Sequence, residues 1–166
     1  MSTKTPFQKS LAGEFAVLSQ LSLRGIDANL TLGNTKSVDI LVSVPKSGNL
    51  YRIEVKTTFT SKTQGIEWGP SFHWQMKEKH DLISDPKLIF VFVHLNDDGK
   101  NARFFVVPSD IVGQYCYQEH QHWLATNSSH TDNDIRTFRI GLDEVGNYNP
   151  PIPMATEYED AWNLLA

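Results

Sequence analysis

The segment Leu88-Ile-Phe-Val-Phe-Val-His94 is apolar on both of its alternating faces, so as a strand it must be covered on both sides. A strand buried twice belongs inside a sheet flanked by other layers. The elements around it are consistent with that. Residues 7 to 23 place Phe7, Leu11, Phe15, Leu18 and Leu21 at helical spacing ahead of Gly25, which predicts a first helix with one buried stripe. Residues 28–32, 38–44 and 50–57 are strand-like and separated by Gly33-Asn34 and by the stretch 45–49, which predicts three strands, antiparallel by turn length.

The stretch 58–71 is polar and contains Gly65, Gly69 and Pro70, and is expected as a long loop. A second helix is expected over 72–83, ending before Asp85-Pro86. After the apolar strand, Asn96-Asp-Asp-Gly99 predicts a turn into a strand over 102–107, and Ser109-Asp110 opens a helix toward Trp123. A short strand over 137–142, a stiff Pro-rich connector over 149–153 and a terminal helix over 157–165 complete the reading. The order is helix, three strands, helix, strand, strand, helix: an α/β fold with a mixed central sheet flanked by helices.

With 166 residues, 40% hydrophobic and 20% charged, the chain is expected to fold as a single domain over 1–166, with a core over about 7–95 and a C-terminal extension over about 100–166. No apolar run is long enough to span a bilayer, and the N-terminal residues lack the apolar core of a signal peptide, so the expected location is cytoplasmic with no membrane partner. Cys116 is the sole cysteine, which excludes an intrachain disulfide and a thiolate zinc cage. The formal net charge of -4 and pI near 5.8 argue against a generally basic nucleic-acid-binding surface. A local basic face is expected instead from Lys56, Lys62, Lys77, Lys79 and Lys87.

In the third strand Ile53, Val55 and Thr57 alternate with Arg52, Glu54 and Lys56, so Glu54 and Lys56 share a face. In the neighbouring strand Asp39 interrupts an apolar run, where a lone carboxylate is costly unless paired or metal-bound. The plain alternative is a solvated strand face with Asp39 merely opening its strand. Glu14, three after Leu11 and four before Leu18, weighs against it, because a carboxylate on the packed side of a helix requires a partner. Glu14, Asp39 and Glu54 offer oxygen ligands for a hard divalent cation, magnesium or manganese rather than zinc, with Lys56 beside it to orient or activate a water.

Gly13-Glu14, Val38-Asp39-Ile40 and Ile53-Glu54-Val55-Lys56-Thr57 together resemble the PD-(D/E)XK, or restriction-endonuclease-like, nucleases, most closely the archaeal Holliday-junction resolvase and Mrr-like branches. The resemblance covers about residues 7 to 95 and implies a restriction-endonuclease-like α-β-β-β-α-β core. It implies a magnesium-dependent endonuclease hydrolysing DNA, duplex or branched, through a metal-activated water, leaving 5′-phosphate and 3′-hydroxyl ends. By the same resemblance Asp39 and Glu54 are metal ligands, Lys56 positions the attacking water and Glu14 supports the metal or its water shell. Val38 stands where the name-giving pattern has Pro, and the Gln-x-x-x-Tyr of several members is only partly matched by Gln75 and Lys79, which as one helical face would be substrate contacts. Cutting both strands of a duplex requires two active sites, which points to a homodimer. The rival readings are a catalytically inactive adaptor or nucleic-acid-binding accessory protein of the same fold, favoured by the acidic pI, and an RNA-processing nuclease.

Other groups carry weaker signals. Cys116, His120 and His122 fall short of the four ligands zinc wants, and His73 and His80 fit packing or surface roles. Trp68, Phe72 and Trp74 either stack on bases or anchor a loop, while Tyr158 and Trp162, four apart in the last helix, either cover the sheet or meet a second copy.

Overall fold

The computed structural model describes residues 4–31, 38–60, 62–65, 68–96, 101–143 and 148–165, for Gln64 the backbone alone. In chain order its elements are α1 (Pro6–Leu23), β1 (Asp27–Leu30), β2 (Ile40–Ser43), β3 (Leu50–Thr58), β4 (Thr63–Gly65), β5 (Gly69–Lys77), a 3-10 turn (Glu78–His80), β6 (Leu88–Leu95), β7 (Ala102–Pro108), α2 (Ser109–Thr126), β8 (Ile135–Gly141), α3 (Ala155–Tyr158) and a second 3-10 turn (Trp162–Leu165). The expected turns at Gly33-Asn34 and within 97–99, and the end of the first strand at Leu32, lie outside the described residues.

Two compact units are formed, one from Met1–Phe59, Lys87–Val107 and Glu159–Ala166, the other from Thr60–Pro86 and Pro108–Tyr158. The expected core segment and the expected extension each contribute to both. The first unit holds a five-stranded mixed sheet in the order β1-β2-β3-β6-β7, with β1, β2 and β3 antiparallel and β3 and β6 parallel. All eight residues of β6 are buried and it has neighbours on both sides, as the unbroken apolar run requires.

Helix α1 starts with a capping box: the Thr5 hydroxyl accepts from the Gln8 amide, the Gln8 side chain accepts from the Thr5 amide, and Pro6 follows where its missing N–H costs nothing. It stops at Gly25, which sits at φ +68°, a conformation that favours glycine. Its buried face is Gly13, Val17 and Leu21, with Phe7 and Phe15 turned outward at 72% and 56% exposure. The expected stripe through 7, 11 and 15 is corrected, and Gly13 supplies the reason. A Cβ at Gly13 would lie 1.8 Å from Thr57 Oγ1, so the helix meets β3 through its smallest residue and the phenyl groups are rotated away. Val17 and Leu21 then pack with Ile40, Val42, Ile53, Val55, Ile89, Val91 and Val93 in one core.

The second unit holds an antiparallel sheet in the order β4-β5-β8, with α2 against β8. The helix expected over 72–83 is instead strand β5 followed by a single 3-10 turn. Buried Phe72, Trp74 and Met76 alternate with His73, Gln75 and Lys77, a period of two, and pairing with β8 decides what a short apolar segment leaves ambiguous. The expected loop over 58–71 accordingly holds the end of β3, all of β4 and the start of β5. The α-β-β-β-α-β order is therefore corrected to helix, five strands, a 3-10 turn, two further strands, helix, strand, and the short α3 with a closing 3-10 turn, while the α/β class, the mixed sheet and the flanking helices stand.

Helix α2 and strand β8 lie close to their expected positions. The terminal helix does not: it is broken after Tyr158, Glu159 bridges to Phe105, Asp160 adopts φ +52°, and a 3-10 turn begins at Trp162. Tyr158 and Trp162 thus share no helix, and the Trp162 ring packs 5.8 Å from Phe104 in the core. Among the described residues, no helix is long and apolar enough to cross a membrane.

Candidate functional site

Asp39 stands one residue before β2. Its amide donates at 2.8 Å to the carbonyl of Ile53, the residue paired with Ile40, and its carbonyl accepts from the Thr31 amide at 2.9 Å, which holds Asp39 where the β2–β3 ladder ends. There the pairing changes character. Asp39 Oδ2 accepts a 2.7 Å hydrogen bond from the Val55 amide, so the carboxylate occupies the place a strand carbonyl would take.

On β3, Ile53 and Val55 join the core under α1, and strand alternation sends Glu54 and Lys56 to the other face. The Glu54 side chain is 3% exposed and its Oε1 lies 2.7 Å from Lys56 Nζ, whose side chain is 26% exposed. Their cross-strand neighbours in β6 are Phe90 and Phe92, both fully buried. The pair therefore sits against hydrocarbon, with its cationic end reaching water.

Glu14 follows Gly13, the residue that touches β3, and is half-buried. Ser10, one turn earlier, donates to Glu14 Oε1 at 3.0 Å. Burial pushes the Asp39 carboxyl above its ordinary value of 3.8; the Val55 amide opposes this, the charges of Glu14 and Glu54 add to it, and Lys56 lowers it. Glu14, Glu54 and Lys56 thus each act on the charge of Asp39, and of the four residues Glu54 and Lys56 are joined as an ion pair. Among the described residues, no three His, Cys, Asp or Glu side chains already form a metal cage.

Gln75 and Lys79 are not two positions on one helical face: Gln75 is exposed on β5, Lys79 lies in the 3-10 turn, and both belong to the second unit. The expected basic face is divided too, with Lys56 and Lys87 in the first unit and Lys62, Lys77 and Lys79 in the second. Lys77 is also held by Asp134 at 2.8 Å.

Cys116, His120 and His122 lie on helical α2 and do not converge. Cys116 is fully buried, His120 Nε2 is 2.8 Å from Asp132 Oδ1, and the His122 ring meets Tyr148 edge-on at 5.2 Å. His80 is buried, with Nδ1 3.1 Å from the Lys77 amide, and His73 is half-buried on β5, where burial and then Arg139 lower its pKa. Phe72 and Trp74 are core residues of the second unit, and Trp68 lies under the Arg139 guanidinium at 4.8 Å.

Two contributors escaped the sequence reading. The Val55 amide is a backbone group that no residue letter reveals, whereas Ser10, four before Glu14, was visible as an i, i+4 helical pair.

The architecture defined here is an α/β fold with acids gathered where a strand pairing ends. No protein-family model matches the chain, and no curated protein matches it. Among solved structures it is similar to a bacterial homing endonuclease, I-Ssp6803I, with a TM-score of 0.57 and 15% sequence identity over 98% of this chain and 92% of that one. At that identity the likeness is one of fold.

Proposed function

We propose that this chain is an endonuclease that hydrolyses phosphodiester bonds of duplex or branched DNA with magnesium or manganese. The observation that carries the reading is the half-buried Asp39 carboxyl, against whose ionisation the charges of Glu14 and Glu54 both act. Such an arrangement is costly for a scaffold and useful for holding a cation. The fold likeness to a homing endonuclease supports it.

The donors fit a hard cation, since all three are carboxylates and no His or Cys stands among them. Asp39 and Glu54 would hold the ion, with Glu14 supporting it or its water. A closed protein cage is not required, because magnesium is commonly held by one or two carboxylates, waters and the substrate's own phosphate. When bound, the ion supplies Lewis acidity and a water of lowered pKa.

The chain's own groups do the positioning. The Val55 amide fixes the Asp39 carboxylate in the plane of the sheet, and Ser10 fixes Glu14. Lys56, held by Glu54, sets an ammonium where the phosphoryl oxygens gain negative charge during attack. Cleavage of both strands asks for two such sites, and a homodimer supplies them.

The closed Lys56–Glu54 ion pair favours one rival, a nuclease-fold adaptor that satisfies these charges internally. Incubation with plasmid, branched DNA and RNA in magnesium and in manganese decides among the readings. DNA cleavage abolished in Asp39→Asn, together with loss of calorimetric metal binding, is the expected result. Absence of metal binding in the parent protein leaves the adaptor, and cleavage of RNA alone replaces the substrate.

A further inference from the structure

Thr57 stands on the face of β3 that meets α1, the face whose other members Ile53 and Val55 belong to the apolar core. Its hydroxyl Oγ1 is buried and has no hydrogen-bond partner among the described residues. Valine has nearly the same shape, suits a strand and would continue the apolar face, so packing does not account for a threonine here. Nearly all buried polar groups of folded proteins have a partner, and a hydroxyl that finds none within the chain calls for an ordered water.

Its neighbours say which water. Thr57 Oγ1 occupies the space that a Cβ at Gly13 would need, and Glu14 is the next residue of α1. Along β3, Thr57 is two residues, about 6.6 Å, beyond Val55. The Val55 amide is the one that holds Asp39 Oδ2, at 2.7 Å. The hydroxyl is thus lodged where the helix that carries Glu14 meets the strand that fixes Asp39. Magnesium takes few protein ligands and keeps several of its waters. Those waters are donors that need acceptors beyond the carboxylates, and a hydroxyl oxygen offers two lone pairs.

We propose that Thr57 is a positioning residue of the cation site, its hydroxyl accepting a hydrogen bond from a water of the cation's shell that Glu14 also holds. This role rests on the nuclease reading for its cation. In the metal-free protein the hydroxyl goes unsatisfied and the fold is less stable for it; the water that arrives with the ion removes that cost.

Thr57→Val removes the hydroxyl at nearly constant shape. In chelator its thermal midpoint is expected to rise by about 2–4 °C, because hydrocarbon replaces an unsatisfied polar group. Its magnesium affinity by calorimetry is expected to fall by about 10- to 100-fold, the usual effect of losing a partner that lies beyond the metal's own ligands. Thr57→Ser keeps the hydroxyl and is expected to bind magnesium as the parent does. Since Thr57 and Glu14 hold one water, the losses in Thr57→Val and Glu14→Gln are expected to be far from additive in the double variant. A midpoint in chelator no higher than the parent's overturns the proposal, as do fully additive losses. A parent-like affinity in Thr57→Val overturns it too while leaving the nuclease reading in place, and a parent protein that binds no magnesium sinks both. Weakened binding in the valine variant of a protein that never cuts DNA supports the role of Thr57 and sinks the nuclease reading alone.

Discussion

Replacing Lys56 by Met tests the electrostatics of the site directly. Glu54 is 3% exposed and its ion-pair partner is the Lys56 ammonium at 2.7 Å, so the substitution leaves a carboxylate against Phe90 without its cation. Removing one member of a buried pair costs about 3–5 kcal/mol. Here the lysine side chain is 26% exposed, so water already screens part of the attraction, and the expected loss is about 2–3 kcal/mol. With a urea dependence of about 2 kcal/mol per molar, the unfolding midpoint should fall by roughly 1–1.5 M, measured by circular dichroism in chelator. Glu54→Gln should cost under about 1 kcal/mol, because the remaining ammonium reaches water along its flexible stem. Under the proposed function, magnesium at a hundredfold excess over its dissociation constant restores about 2.7 kcal/mol to Lys56→Met. Equal midpoints for Lys56→Met and the parent, or a larger loss in Glu54→Gln, would refute the reasoning.

Three further outcomes are expected. The Asp39 pKa is raised in the folded state, so the stability contributed by its protonated form is complete below the ordinary value of 3.8 and is lost as pH rises through the folded value. Asp39→Asn keeps an acceptor for the Val55 amide and removes that loss, so in metal-free buffer it should match the parent at low pH and exceed it at neutral pH; a variant less stable than the parent at pH 7 contradicts this. Gly13→Ala should destabilise by about 1–3 kcal/mol despite alanine's helix propensity, since its Cβ would lie 1.8 Å from Thr57 Oγ1; a thermal melt unchanged from the parent would show that α1 can retreat from β3. Burial pushes the Cys116 thiol well above its usual range, so a disulfide reagent should modify it only as the chain unfolds, and labelling at a free thiol's rate in native buffer speaks against the packing of α2.

What the sequence made legible, and what it concealed, follows the range of the interactions. Strand β6 could be read because its constraint is local, eight successive residues that all demand cover. Glu54 and Lys56 stand out as charges alternating with Ile53, Val55 and Thr57, and Asp39 as a carboxylate between Val38 and Ile40, so these three are visible as local breaks in an apolar pattern. Phe7 and Phe15 were misplaced because the facing of α1 is decided by Gly13 against Thr57, a contact 44 residues apart that no periodicity contains. Strand β5 was misread because six alternating residues fit either period until β8, some sixty residues later, supplies the partner.

The placement of the acids has a backbone cause. Strand β3 has nine residues and β2 only four, so Leu50–Ile53 pair with β2 while the remainder keeps its parallel partner β6. Among the described residues no strand continues β2 alongside that remainder, and its edge amides need other acceptors. The first, at Val55, is met by Asp39 itself, one step beyond the last β2 residue. Further along, Thr57 Oγ1 is buried without a hydrogen-bond partner among the described residues, beside the helix that carries Glu14. Unequal strand lengths thus draw a carboxylate to the sheet edge next to Glu54, where a fully paired hairpin would have used a peptide carbonyl. Lengthening β2 by one ordered pair would satisfy the backbone better and displace Asp39, so the shortness of β2 is a condition of the site.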